Sequence, residues 1–323
     1  MRLKWYVPLF AMFLAGCGTP SFLITPVSGD SSLHEVPVSG SHALFAKKIV
    51  IIPLEGTIVN GRVGGLLQAQ ENPLSHFVQE LNAAAADDSV RAVVIRVNSP
   101  GGSVTASDTM YDAVKRFKAA THKPVIVSAQ EVDASGAYYV SCAADKIVAN
   151  PTSIVGSIGV IFESFDVANG LNKLGIISIA IKSAELKDMG SPFKHLTDHE
   201  REVMQDMVDE YFARFKNTVT SNRPITDPAT LKLVTDGRVF SGVRAKELGL
   251  VDEVGRLDDA IDLAKQMANV PDAEIIMFQH LYAYSGSIYA ETDVPTPEAE
   301  KYTLSLPLLD SLMPDGFYYL WQP

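Results

Sequence analysis

The feature that most constrains this chain is the recurrence of short, β-branched apolar runs between segments with helical spacing. Lys48–Leu54 (KIVIIPL), Ala92–Val97 (AVVIRV), Val125–Ala129 and Lys146–Ala149 are too short for helices and carry no polar alternation. Such runs fit strands buried on both faces. Between them lie Asn72–Ala85, with Leu74, Phe77, Val78 and Leu81 in helical spacing, and Ser107–Ala119, with Met110, Val114 and Phe117 on one face. Strand alternating with helix predicts an α/β domain with a largely parallel sheet. Thr197 and Glu200 form a capping-box pattern that opens a long amphipathic helix. Its apolar face carries Val203, Met204, Met207, Val208, Tyr211, Phe212 and Phe215. Core packing is the expected use of that face, and an oligomer contact is the alternative.

The N-terminus reads differently. Arg2 and Lys4 precede an apolar run from Trp5 to Leu14, which is too short to span a bilayer but suits the apolar region of an export signal. Leu14-Ala15-Gly16-Cys17 then resembles a bacterial lipobox. That resemblance implies removal of residues 1–16, acylation of Cys17 and anchoring in a membrane of the bacterial cell envelope; an ordinary signal peptide or an uncleaved anchor is the alternative, and in either case the rest of the chain is exported. Residues 17–46, rich in Gly, Pro, Ser and Thr, read as a tether. The only other cysteine, Cys142, lies in an apolar run and reads as a small buried hydrophobe. The formal net charge of −11 argues against a nucleic-acid partner. No spacing suggests a metal or another cofactor. Residues 47–270 read as the folded domain, and 271–323 as a C-terminal extension without a clear period.

Three segments carry chemistry. Ser99-Pro100-Gly101-Gly102-Ser103 follows a strand, and its glycines can turn N–H groups outward to meet an oxyanion; a plain strand-to-helix turn is the alternative. Ser135, among small residues in Asp133-Ala134-Ser135-Gly136-Ala137, opens a helix and is either an accessible nucleophile or an N-cap. Lys187, in Lys187-Asp188-Met189-Gly190, is either a surface lysine or the base that a serine needs, since no histidine lies in these segments.

Taken in order, the motifs resemble the signal peptide peptidase A (protease IV) family in its short single-domain form. The matching stretch covers about residues 48 to 265. It includes SPGGSV at 99–104, ASGAYY at 134–139, NPTSIVGSIGV at 150–160, KSAELKDMGSP at 182–192, GRVFSG at 237–242 and ELGLVDEVG at 247–255. The resemblance implies a Clp protease/crotonase-like fold of stacked ββα units with a helical arm. It implies a Ser135–Lys187 dyad, with Gly136 and Gly102 supplying oxyanion N–H groups (Gly101 being the alternative to Gly102) and Ser157 orienting the lysine. It further implies peptide substrates such as cleaved signal peptides, and assembly into homo-oligomeric rings with composite grooves, which the sequence neither proves nor contradicts. Two other readings compete: a non-catalytic lipoprotein scaffold on the same fold, and a crotonase-type acyl-CoA enzyme, which export disfavours because CoA is intracellular.

Overall fold

A computed structural model describes residues 33–39, 46–61, 72–279 and 316–321. The lipobox and Cys17 lie outside the described residues. The predicted runs form the centre of an 11-stranded sheet. Strands β1 (His34–Ser39), β2 (Lys48–Ile58), β3 (Val90–Ser103), β4 (Val125–Ala134) and β5 (Lys146–Ala149) are joined by β9 (Glu253–Val254) and β10 (Glu274–Gln279) in the order β1-β10-β2-β3-β4-β5-β9. From β10 to β9 every pairing is parallel, and β1 adds antiparallel at the edge.

A parallel sheet must be covered on both faces, and the period of two sorts the side chains accordingly. Ile49, Ile51, Val94, Ile126 and Val148 point to one face, where they meet Leu257, Ile261 and Ala264 of helix Leu257–Ala268. Val50, Ile52, Val93, Ile95 and Val127 point to the other. There they pack with helix α1 (Pro73–Ala86), α2 (Val104–Thr121) and α3 (Gly136–Ser141). Asn72 caps α1 by accepting from Ser75 N–H at 3.2 Å. Cys142 is buried here, and desolvation pushes its thiol up to about 12, as fits a packed rather than a reactive cysteine.

The capping box forms as expected. Thr197 N–H donates to Glu200 Oε2 at 3.0 Å, and Glu200 N–H donates to Thr197 Oγ1 at 3.2 Å. The helix runs from Asp198 to Asn222. Its apolar face is used unevenly. Phe215 and Val219 enter the core, while Val203, Met204, Met207, Val208, Tyr211 and Phe212 are only half-buried.

Two differences bear on the site. The strand predicted at Ala92–Val97 continues through the glycines to Ser103, because neighbours pair with it there. The sheet also takes in β1 from the segment read as a tether, and β10 and β11 (Gly316–Leu320) from the segment read as an extension, so its limits are wider than 47–270. Three further strands, β6 (Ile154–Gly156), β7 (Ile161–Glu163) and β8 (Val239–Ser241), gather around the end of β4 and around β11.

Candidate active site

Ser135 stands where β4 stops and α3 begins. Its backbone, at φ 53° and ψ −117°, lies outside the regions open to ordinary residues. A side chain held there costs about 1–3 kcal/mol, a cost that persists where the surroundings enforce it and that clusters at functional sites. The surroundings are visible: Ser135 N–H donates to Gly156 O at 2.7 Å, and Ser135 O accepts from Tyr139 N–H at 2.9 Å. The first contact ties the turn to β6, the second starts the helix. The serine hydroxyl makes no capping bond. Of the two local readings of Ser135, the N-cap therefore loses its defining contact.

Gly136 and Gly102 are brought together. A Cβ on Gly136 would fall 3.1 Å from Gly102 N, 2.4 Å from Ser107 Oγ and 2.9 Å from Tyr319 O. A Cβ on Gly101, whose φ is +96°, would fall 2.5 Å from Gly136 N and 2.1 Å from Tyr319 O. Main chain, joined at Gly136 by the Ser107 hydroxyl, thus fills the space that side chains would need, and glycine fits there. Ser99 steadies the turn by accepting from Gly101 N–H at 3.1 Å and donating to Gly56 O at 2.6 Å.

The atom that the three glycines surround is a carbonyl oxygen. β11 pairs antiparallel with β3, Tyr319 opposite Gly102, and Trp321 N–H donates to Pro100 O at 2.8 Å. Hydrogen-bonded pairs recur every second residue in such a ladder. The Trp321–Pro100 contact therefore puts Tyr319 and Gly102 in hydrogen-bonded register, with Gly102 N–H facing Tyr319 O.

Ser157 is a register neighbour of Ser135. β4 and β6 are parallel with Ala134 opposite Gly156, so the two serines follow side by side. Both have positive φ, that of Ser157 being 50°. Ser157 N–H donates to Arg238 O at 2.8 Å, and its side chain lines a cleft of about 380 Å³ with Gly159, Ile161, Val208, Phe212 and Leu320.

Lys187 lies apart from this buried group. It sits in a short 3₁₀ turn, Glu185–Asp188, and is exposed, whereas Ser135 is 1% exposed. Its neighbours form an ion cluster: Asp188 receives Lys182 and Lys194, each at 2.7 Å, and those two bonds hold the Asp188 carboxyl down at about 2. The same stretch exposes large apolar side chains, among them Phe165, Leu174, Ile177, Ile179 and Ile181. Among the described residues, no cluster of His, Cys, Asp or Glu could hold a metal ion. Among them, too, no helix is long and apolar enough to cross a membrane.

The sequence pointed to Ser135, Lys187, Gly102, Gly136 and Ser157; the structure gathers Ser135, Gly102, Gly136 and Ser157 and leaves Lys187 apart from them. The sequence did not point to Tyr319 or Ser107. The signal available for Tyr319 was the aromatic run Gly316-Phe317-Tyr318-Tyr319-Leu320, bounded by glycine.

A family model described as Clp protease matches residues 64–155, and one described as Peptidase family S49 matches residues 117–271. A protein of Methanocaldococcus jannaschii named as a protease is 42% identical over 214 residues, covering 66% of this chain and 68% of that one. An Enterococcus faecium protein named as signal peptide peptidase SppA is 33% identical over 234 residues, covering 72% and 67%. Protease 4 of Haemophilus influenzae is 33% identical over 243 residues, covering 74% of this chain and 38% of its own length. Sheet, strained serine turn and these likenesses define the class, a serine peptidase with a Clp protease-like α/β fold. The chain belongs to peptidase family S49.

Proposed function

We propose that this peptidase is a membrane-associated endopeptidase with Ser135 as nucleophile and Lys187 as general base, degrading cleaved signal peptides and other exported peptide segments. The observation that carries the reading is the strained Ser135 turn, packed at Gly136 against Gly101 and Gly102, with Gly102 in register to donate its N–H to a peptide carbonyl. The N–H groups of Gly102 and Gly136, presented to a substrate carbonyl, would stabilise the charge that develops on it when a nucleophile attacks. A peptide lying between β3 and β7 would pair with main chain on both sides, the mode in which extended segments add to a sheet.

Ser135 Oγ attacks the carbonyl carbon, and Lys187 Nζ takes the hydroxyl proton. The tetrahedral oxyanion rests on Gly102 and Gly136 N–H. Its collapse gives an acyl-enzyme, with the proton passed to the leaving amine. Water then cleaves the ester by the same route. A lysine serves as base only when its amine is neutral, which requires desolvation. Lys187 is exposed, on a segment with many uncovered apolar side chains. The desolvation is therefore assigned to assembly: the segment packs against a second copy of this chain and delivers Lys187 to that copy's Ser135. Ser157, beside Ser135, orients the incoming amine. The lipobox at Leu14–Cys17 supplies the anchor in the cell envelope.

Activity on an apolar peptide, with mass spectrometry of the fragments, tests this. Ser135→Ala and Lys187→Arg are each expected to be inactive, arginine because it keeps its proton. Co-assembled, the two variants should recover activity at about a quarter of the sites, because random mixing in a closed ring pairs an intact serine with an intact lysine that often. Activity in Ser135→Ala alone would overturn the nucleophile. Activity in Lys187→Arg alone would overturn the base. A mixture as inactive as its components would overturn the shared site.

A further inference from the structure

The proposed oxyanion cradle of Gly102 and Gly136 is built into tightly packed main chain. The proposed base is carried on an exposed turn, and a chain of charges fixes that turn. The chain starts at Glu200, in the first turn of the helix after Thr197, which is 1% exposed. A carboxylate so buried needs its partners. Its Oε2 accepts from Thr197 N–H at 3.0 Å, and its Oε1 accepts from Lys194 Nζ at 2.5 Å. The same Nζ donates to Asp188 Oδ1 at 2.7 Å, and Asp188 is the residue after Lys187. From the other side Lys182 Nζ donates to Asp188 Oδ1 at 2.7 Å and to Glu185 O at 2.9 Å, so it spans the 3₁₀ turn from first residue to last. Within the turn Lys187 N–H donates to Ala184 O at 3.2 Å. The backbone that carries Lys187 is thus held while its side chain is exposed.

Exposed ion pairs contribute little to stability, so two lysines converging on one carboxylate call for another account. Charge supplies it. A carboxylate close to an amine favours the protonated amine, and a base must work from the neutral one. Here the ammonium groups of Lys182 and Lys194 meet the carboxylates of Asp188 and Glu200, and the cluster is neutral as a whole. It stays so near neutral pH. The bonds from Lys182 and Lys194 hold Asp188 at about 2, the Lys194 bond lowers Glu200, and the bonds to Asp188 and Glu200 raise Lys194. Of the other titratable groups nearby, His195 pairs with Asp166 at 2.5 Å, and Glu185, Asp198 and His199 are exposed.

We propose that Lys194, Asp188 and Glu200 are positioning residues for the base: their carboxylate–ammonium–carboxylate chain ties the Lys187 turn to the start of the long helix, and Lys194 together with Lys182 cancels the Asp188 charge that would otherwise keep the proton on Lys187. None of the three touches substrate. They act through Lys187, first by fixing where its side chain departs and second by setting the local charge it feels. The inference rests on the assignment of Lys187 as base made above.

The test uses the full chain. The pH dependence of kcat and KM on a peptide substrate is compared for wild type, Lys194→Met, Lys194→Arg and Asp188→Asn, each checked by a thermal melt and by light scattering. Lys194→Met frees the turn and leaves Asp188 with one counter-charge. Its kcat should fall roughly tenfold to a hundredfold with KM unchanged, and the acid limb of its profile should move up by roughly half a pH unit. Asp188→Asn also frees the turn but leaves two ammonium groups without their carboxylate, so kcat should fall while the limb moves down by a similar amount. Lys194→Arg keeps the charge and can still join two carboxylates, and should restore both rate and limb. Limbs that move in opposite directions are beyond a merely structural role. A wild-type profile in Lys194→Met, or limbs of Lys194→Met and Asp188→Asn that move the same way, would overturn the proposal. If Lys194→Met melts early, Lys182→Met removes the other counter-charge and must move the limb up; an unmoved limb there would overturn the proposal equally. Full activity in Lys187→Arg would instead overturn the assignment on which the proposal rests.

Discussion

Asp133 precedes the proposed nucleophile by two residues and is fully buried. Its Oδ1 accepts from Ser141 Oγ at 3.0 Å, and its Oδ2 has no partner among the described residues. Desolvation pushes the carboxyl from 3.8 up to about 7, with only the Ser141 hydroxyl pulling the other way. The consequence for stability has a definite sign. Below the unfolded value of 3.8 both states hold the proton and the contribution is fully present. As the pH rises towards 7 the unfolded chain releases its proton first, and stability falls by roughly 1.4 kcal/mol per pH unit until the folded carboxyl ionises as well. Across about three units that amounts to at most ~4 kcal/mol. Asp133→Asn keeps an oxygen for Ser141 and removes the titration. Urea unfolding of wild type and variant at pH 3.5, 5, 6.5 and 8 reads the difference, in which carboxylates such as Asp87, held down at about 2, cancel. The variant should gain on wild type by a few kcal/mol between the first pH and the last, most of it between 4 and 7. Two parallel stability curves would refute the reasoning, because they would mean that Asp133 is either solvated or matched by a partner when charged.

Gly101→Ala should cut kcat/KM on a peptide substrate by about 100-fold, since its Cβ would meet Gly136 N at 2.5 Å and displace a donor of the cradle; Gly61→Ala, with open space around it, should change nothing, and equal rates for both would remove the cradle from the mechanism. Fatty-acid labelling of cells should mark the wild-type chain and leave Cys17→Ala unmarked, and equal label on both would sink the lipid anchor.

What was legible in the sequence follows the range of the physics involved. The strands Lys48–Leu54 and Val125–Ala129 were readable because burial on both faces leaves a continuous apolar run. Ser135-Gly136 and Gly101-Gly102 were readable because turn chemistry is local. That Ser135 and Ser157 stand side by side was not, since it depends on which residue of β4 lies opposite which residue of β6. The extension of β3 to Ser103 was invisible for a similar reason. Its glycines say turn, and only the partners supplied by β2 and β11 make them strand. The aromatic run in β11 is five residues long, too short to declare a period, and its partners lie far away in the chain. The half-buried face of the helix after Thr197 shows the opposite limit. Its spacing announces an apolar stripe but not how much of the stripe is covered, and here cover is complete only around Phe215 and Val219.

The division of the proposed site between buried and exposed parts has a chemical logic. The oxyanion donors must not move when charge develops, because reorganisation would cost the stabilisation they provide. The proposed donors sit accordingly in tightly packed main chain, Gly102 in the sheet and Gly136 at the start of α3, wedged against Ile58, Ser107 and Tyr319. The base has the contrary requirement. A buried lysine without partners would be a folding liability in a single chain, whereas one carried on an exposed turn, beside the Asp188 ion pairs, could be desolvated by the assembly proposed above.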